Sequence, residues 1–140
     1  MRPLDLELRR RVTPSGRVAA ANKAARATSA EAVVAEYLAQ RGFVVVARNL
    51  RLGKLELDVV ARRAELIVVV EVRTRGPGAW TSGFGSIDSA KRRRIRRAGE
   101  RLWQRRYKND ASAERLRFDA ASVSFDAKGR PEVEYAEAAF

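Results

Sequence analysis

Residues Leu55–Arg75 read L-E-L-D-V-V-A-R-R-A-E-L-I-V-V-V-E-V-R-T-R, two apolar runs separated by a polar break at Arg62–Glu65. Runs rich in Val, Ile and Leu around a turn-sized break predict a β-hairpin, and that limits what the rest of the chain can build. In the first strand Leu55, Leu57 and Val59 share one face, and Glu56, Asp58 and Val60 the other. In the second, Ile67, Val69, Glu71 and Arg73 share a face. A turn centred between Arg63 and Ala64 sets Asp58 opposite Val69 and on the face of Glu71. The two acids then have Cα atoms roughly 7–8 Å apart. Two carboxylates at that spacing can grip one divalent cation. A one-residue slip sends them to opposite faces.

The second strand is almost continuous hydrophobe, which predicts an interior strand covered on both sides. A carboxylate there needs a partner or a metal. Spacing alone leaves two readings of Glu71 open. It forms an ion pair with Arg73 at the strand end, or it ligates a metal together with Asp58.

These residues also carry a resemblance. Leu55-Glu56-Leu57-Asp58-Val59-Val60 resembles the G-E-I-D-L-I segment of the YraN-like family of predicted endonucleases. Glu71-Val72-Arg73-Thr74-Arg75 resembles that family's E-V-K-T-R, at the same separation. Upstream the likeness takes in Glu31, Ala35, Tyr37-Leu38 and Gly42-Phe43. Downstream it takes in the basic run Lys91–Arg97 and Arg117-Phe118-Asp119, so it spans about Ala30 to Val123. The family is similar to Holliday junction resolvases and the wider D…ExK nuclease superfamily. The resemblance implies an α/β fold with a restriction-endonuclease-like core, a mixed sheet flanked by helices. It also implies a Mg2+ or Mn2+ site held by Asp58, Glu71 and the Val72 carbonyl, with Glu31 and Arg73 as further catalytic residues. Its implied partner is DNA, with RNA as an alternative, and a homodimer follows by analogy with resolvases.

Two positions depart from that pattern. Leu55 replaces a glycine, which affects backbone freedom only. Arg73 replaces the lysine of the E-x-K signature. Arginine stays charged, with a pKa above about 12, and cannot act as a base, but it can hold a phosphate and stabilise developing charge.

Composition narrows the chemistry. The 140 residues contain no cysteine and no histidine, so thiolate nucleophiles, imidazole bases and zinc ribbons are excluded. A metal site must be built from oxygen, which favours magnesium or manganese. The lack of cysteine fits a cytoplasmic location. The formal net charge is +12, and it is localised: residues 1–29 carry seven basic and two acidic groups, and residues 91–108 carry ten basic and one. Clustered positive charge points to a polyanionic partner. No apolar run approaches the roughly 18–20 residues needed to cross a bilayer.

In chain order, residues 1–28 read as a basic arm, partly disordered or helical, ahead of a single nuclease-like domain over 29–140. The spacing predicts a helix over Ser29–Arg41, with Val34, Tyr37, Leu38, Ala30 and Ala35 as its apolar stripe and Gly42 closing it. Glu31 falls in its first turn, where the helix dipole favours an acid, and the dipole reading stands beside the metal-facing one. A strand over Phe43–Asn49 follows, with a turn at Gly53 leading into the hairpin. Residues 76–85 form a Gly/Pro-rich loop whose Trp80 and Phe84 could stack on unpaired bases or plug the core edge. Ile87–Tyr107 is a long helix, started by Asp88, with Ile87, Ile95, Ala98 and Leu102 on one face. Its charge exceeds what solubility needs. Lys91, Arg92, Arg93, Arg94, Arg96, Arg97 and Arg101, with Arg75, are the expected phosphate contacts. Arg115–Ser124 is a strand with Leu116, Phe118, Ala120 and Ser122 on one face. Val133–Tyr135 is a short edge strand, and Ala136–Phe140 is expected to fray. The element order is therefore α-β-β-β-α-β-β with about five strands.

Three functions fit these features: a metal-dependent DNA endonuclease, with Glu56 as a possible assistant; a nucleic-acid-binding module without catalysis, favoured by Arg73; and a factor docking on ribosomal RNA by charge.

Overall fold

The computed structural model describes residues 30–75 and 87–140. The basic arm and the 76–85 loop, with Trp80 and Phe84, lie outside the described residues. Residues 30–40 form helix α1. Its 3.6-residue spacing puts Ala30, Val34 and Leu38 on one line, and all three are buried. Gly42, at φ 86, closes the helix in a left-handed conformation that carries no steric cost for glycine.

Five strands follow: β1 Val44–Leu52, β2 Leu55–Arg63, β3 Leu66–Arg75, β4 Arg115–Phe125 and β5 Pro131–Ala136. Helix α2, Ser89–Leu102, crosses between β3 and β4 and continues into a π-helical segment, Trp103–Tyr107. The strands form one mixed sheet in sequential order, with β3 and β4 parallel and every other neighbour antiparallel. The crossover accounts for this, because a parallel pair needs a long connection whereas the hairpins need two residues. β1 extends to Leu52, three residues past the expected Asn49, and Gly53 at φ 67 makes the turn.

β3 is the central strand, and Leu66–Val70 are all buried because both faces are covered. On one face Val59, Ala61, Val68, Val70, Ala121 and Val123 pack against Val34 and Leu38 of α1. On the other Val60, Ile67, Val69 and Phe118 pack against Ile95, Ala98 and Leu102 of α2. A one-residue slip between neighbouring strands would exchange these two sets, so burial on both sides holds the register.

The hairpin turn is Ala64-Glu65, since Arg63 pairs with Leu66. It lies one residue beyond the expected centre, which shifts each pairing by two positions and so preserves the face. Leu57 is a second correction. It packs with Val60 on the α2 side, while Val59 faces α1, so alternation breaks at Asp58. The neighbouring strand is irregular at the same place: between the pairs Arg48–Val59 and Leu50–Leu57, Asn49 takes φ 50.

The tail is not frayed. Ala139 N–H donates to the Phe118 carbonyl at 2.8 Å, Ala138 N–H donates to Asp119 Oδ1 at 2.9 Å, and the Phe140 ring lies 5.8 Å from that of Phe118. The expectation of fraying failed because residues 136–140 show no local periodicity; long-range contacts hold them.

Gly99 sets how closely α2 approaches the sheet. A Cβ there would stand 2.5 and 2.6 Å from Cε1 and Cζ of Phe118. That ring is itself held by Phe140 and by the Arg96 guanidinium, 5.1 Å from its centroid. Gly99→Ala is therefore expected to destabilise by about 2–3 kcal/mol, although alanine is the better helix former. Adding Phe118→Leu should recover most of the loss. Urea denaturation checks this, and an unchanged midpoint for Gly99→Ala would show that the ring yields freely.

Candidate functional site

Pairing between β2 and β3 runs from Arg63–Leu66 to Val59–Val70 and stops. Beyond that point β2 continues on β1 alone and β3 on β4 alone, through Glu71–Ala120 to Arg75–Ser124. The two strands thus part in a fork, with Asp58 and Glu71 facing each other across its mouth. An antiparallel ladder that ends this way leaves backbone donors to be satisfied by other groups. Asp58 supplies an acceptor: the Val72 N–H donates to Asp58 Oδ2 at 2.9 Å.

The acids are therefore closer than a diagonal pair. Asp58 shares a hydrogen bond with Glu71, and its carboxyl is pushed up to about 8. Burial is the largest cause, followed by the charge of Glu71, the shared hydrogen bond, and the charge of Glu31; the Val72 N–H acts in the opposite direction. Two carboxylates this close in a poorly hydrated place cannot both ionise without a cation, so one keeps its proton. Glu31, in the first turn of α1, stands within electrostatic reach of Asp58 from the other side of the sheet.

Glu71 is buried, and its carboxylate Oε1 is 2.6 Å from the Lys91 ammonium of α2. An ion pair at Glu71 was one of the two expected readings. Its partner, however, comes from the crossover helix. Lys91, expected among the phosphate contacts, thus also pairs with the fork, its side chain one-third exposed. Its backbone is fixed too: Asp88 caps α2 by accepting the Lys91 N–H at 2.8 Å. That bond is the main reason the Asp88 carboxyl is held below its ordinary value.

Arg73 is half-buried on the Glu71 face of β3, beside Ser122 of β4. The Ser122 hydroxyl is buried and has no hydrogen-bond partner among the described residues. Glu56 is exposed and pairs with Arg51 at 3.5 Å, away from the fork.

The remaining basic residues divide. Arg93, Arg94 and Arg97 are exposed along α2. Arg92 donates to the Ile87 carbonyl at 3.1 Å and Arg101 to the Leu52 carbonyl at 3.4 Å. Arg96 covers Phe118, and Arg75 pairs with Glu134 at 3.4 Å. These four hold the fold as well as lining its basic side, a double use that composition does not reveal.

Among the described residues no cluster of three or more His, Cys, Asp or Glu side chains is placed to hold a metal ion. What the fork offers is two carboxylates and backbone oxygen. That donor set fits a hard cation such as Mg2+ or Mn2+, which keeps several of its waters and binds through one or two carboxylates. The charge of Glu31 adds to the rise of the Asp58 carboxyl. No helix among the described residues is long and apolar enough to cross a membrane.

A family model described as "Uncharacterised protein family UPF0102" matches residues 30–123. A UPF0102 protein of Sorangium cellulosum (strain So ce56) is 48% identical over 126 residues, covering 90% of this chain and 88% of its own length. One from Synechococcus sp. (strain JA-3-3Ab) is 36% identical over 116 residues, covering 79% of this chain and 85% of its own. One from Nocardia farcinica (strain IFM 10152) is 34% identical over 119 residues, covering 85% and 91%. The matched span contains α1, the fork and α2.

Proposed function

The chain belongs to the UPF0102 family, a membership that assigns no activity, and from the fork we propose that it is a metal-dependent endonuclease acting on DNA, branched or single-stranded. The observation that carries this reading is the pair of acids at the β2–β3 fork, where Asp58 shares a hydrogen bond with the buried Glu71 and Lys91 stands 2.6 Å from Glu71. Two adjoining acids with one ammonium between them and solvent leave, once both ionise, a net negative site, which supports a divalent ligand there. The core is read as restriction-endonuclease-like, in keeping with the mixed sheet and the helix on each face. Asp58, Glu71 and the Val72 carbonyl would hold Mg2+ or Mn2+. Bound there, the ion would supply a Lewis acid for the phosphodiester and lower the pKa of an attacking water.

The chain's own groups do the rest. The Val72 N–H orients the Asp58 carboxylate. Arg73 offers a permanent cation to a non-bridging phosphate oxygen. Arg93, Arg94 and Arg97 give α2 a row of exposed charge for the DNA backbone. On a symmetric four-way junction, cutting both strands calls for two copies, so the proposal includes a homodimer.

The test is incubation with Mn2+ and labelled linear, flapped and four-way DNAs. Cleavage is expected from the wild type and not from Asp58→Ala or Glu71→Ala. In parallel, replacing Arg93, Arg94 and Arg97 by Ala should lower the salt dependence of DNA binding by about 2–3 in the log–log slope. An unchanged slope would remove α2 from the interface. The second reading, binding without cleavage, is favoured by Arg73 in place of lysine. It predicts salt-dependent binding, no cleavage by the wild type, and cleavage restored by Arg73→Lys.

A further inference from the structure

Lys91 sits where helix energetics disfavour it. It lies in the first turn of α2, three residues after the cap, and that turn contains no acidic residue. A cation there opposes the helix dipole, which costs roughly 0.3–1 kcal/mol. Its side chain ends 2.6 Å from a carboxylate that is only 6% exposed, whereas Arg93, Arg94 and Arg97 stay exposed along the same helix. Residues that break a local rule are expected where something beyond stability is needed. The ammonium stands against the oxygen that a divalent ion would use.

We propose that Lys91 is a built-in counter-cation of the fork, which a divalent metal displaces from Glu71, so that the freed ammonium meets a non-bridging oxygen of the phosphodiester. The inference rests on the nuclease reading of the same site. It follows from three placements. Asp88 holds the Lys91 backbone, so the side chain pivots about a fixed root. Glu71 cannot retreat, since it is buried in the central strand. Arg73 and the unpartnered Ser122 hydroxyl lie further along the same face, so the displaced ammonium has neighbours suited to phosphate. An arginine at the signature position supplies a fixed charge, and Lys91 supplies a compact one that can move.

Mn2+ affinity, measured by titration calorimetry and by the electron paramagnetic resonance signal of free Mn2+, separates this from an ordinary salt bridge. In Lys91→Met the competitor for Glu71 is gone, and Mn2+ should bind about tenfold tighter, the scale of one lost charge-assisted contact. DNA cleavage at saturating Mn2+ should nevertheless fall by about ten- to a hundredfold. Lys91→Arg keeps a cation at Glu71 and should show near-wild-type Mn2+ affinity, which controls for any loss of folding in the methionine variant. Mn2+ binding to Lys91→Met that is equal to or weaker than wild type would overturn the counter-cation role. Tighter binding with undiminished cleavage would overturn the phosphate role. Wild-type binding of Mn2+ without cleavage of any DNA would defeat the nuclease reading while leaving the competition measurable. Absence of Mn2+ binding in all variants would defeat both.

Discussion

Asp58→Asn is expected to raise the melting temperature at pH 9 while abolishing metal-dependent cleavage. The folded chain keeps the Asp58 proton up to about 8, whereas an unfolded carboxyl releases it near its ordinary value of 3.8. Between those values the folded state holds a proton that the unfolded state has lost. Stability therefore falls as pH rises through that window and levels off above it. Asparagine mimics the neutral acid at every pH. It can still accept the Val72 N–H and can donate to Glu71. Below about 3.8 residue 58 is neutral in the folded and the unfolded chain alike, so wild type and variant should melt together there and separate progressively as pH rises. At pH 9 the wild type carries an extra buried charge. Full conversion at about 1.4 kcal/mol per pH unit bounds the difference near 6 kcal/mol; Asp58 keeps some contact with solvent and the ionised pair relaxes toward it, which leaves about 2–3 kcal/mol. For a domain of this size that is roughly 6–9 °C. Millimolar Mn2+ should stabilise the wild type at pH 9 by about 2–3 kcal/mol if it stands near a hundred times the dissociation constant, and the variant by much less. Cleavage should fall at least about a thousandfold, because the ion loses half of its protein carboxylates. A variant that melts below wild type at pH 9 would show that the fork is held by its charges and is not strained by them.

Asp119→Ala is expected to be more destabilising than Gly99→Ala, at about 3–5 kcal/mol. Asp119 is fully buried on the α1 face of β4. Its two oxygens accept Arg117 Nε at 2.8 Å and Nη2 at 2.9 Å, the Tyr135 hydroxyl at 2.6 Å and the Ala138 N–H at 2.9 Å. The same carboxylate raises Arg117 above its ordinary value, and burial, then this hydrogen bond, raises Tyr135. Tyr135 in turn stacks on Tyr37 of α1, ring centroids 5.1 Å apart. One carboxylate therefore ties β4, β5, the C-terminal tail and, through the stack, α1. Removing it leaves a phenol and an amide without their acceptor, and the Arg117 guanidinium with Glu137 alone, at 3.1 Å. Arg117→Met with Asp119→Leu should cost less than Asp119→Ala alone, since no buried charge is left unpaired. Thermal melts of the three chains decide the matter, and a double variant that melts at or below Asp119→Ala would show that the stranded partners are not the source of the loss. DNA binding by α2 should be unchanged in each folded variant, because the cluster lies on the opposite face of the sheet.

Both predictions depend on residues whose type was legible and whose partners were not. Period-two alternation in residues 55–75 identified the hairpin and the interior strand, and put Asp58 and Glu71 on one face. The turn was misplaced by one residue, yet this error shifts pairing by two, an even number, so the face survived. Helical spacing likewise identified Val34 and Leu38, and Ile95, Ala98 and Leu102. The fork did not show, because it is an absence of pairing where the local pattern still reads as strand. Arg117-Phe118-Asp119 was visible as a motif, but its hold on Ala138 and Tyr135 spans a turn and a strand. Gly99 read as a weak helix residue and became visible as a close approach only against Phe118. Lys91 looked like one more member of a basic run; its unfavourable place in the first helical turn was the one local sign that set it apart.

The amino-acid sequence by itself determined which segments are strand or helix, which faces are apolar, that any metal must be held by oxygen, and where positive charge gathers. These are properties of periodicity and composition, set within a few residues of chain. The tertiary structure alone decided that Asp58 caps a backbone amide of the next strand, that Lys91 reaches Glu71, and that the tail closes on Asp119. Such meetings join groups 14 to 20 residues apart. They depend on where a crossover helix lands and where a ladder stops, and those are fixed by the packing of two cores against one sheet.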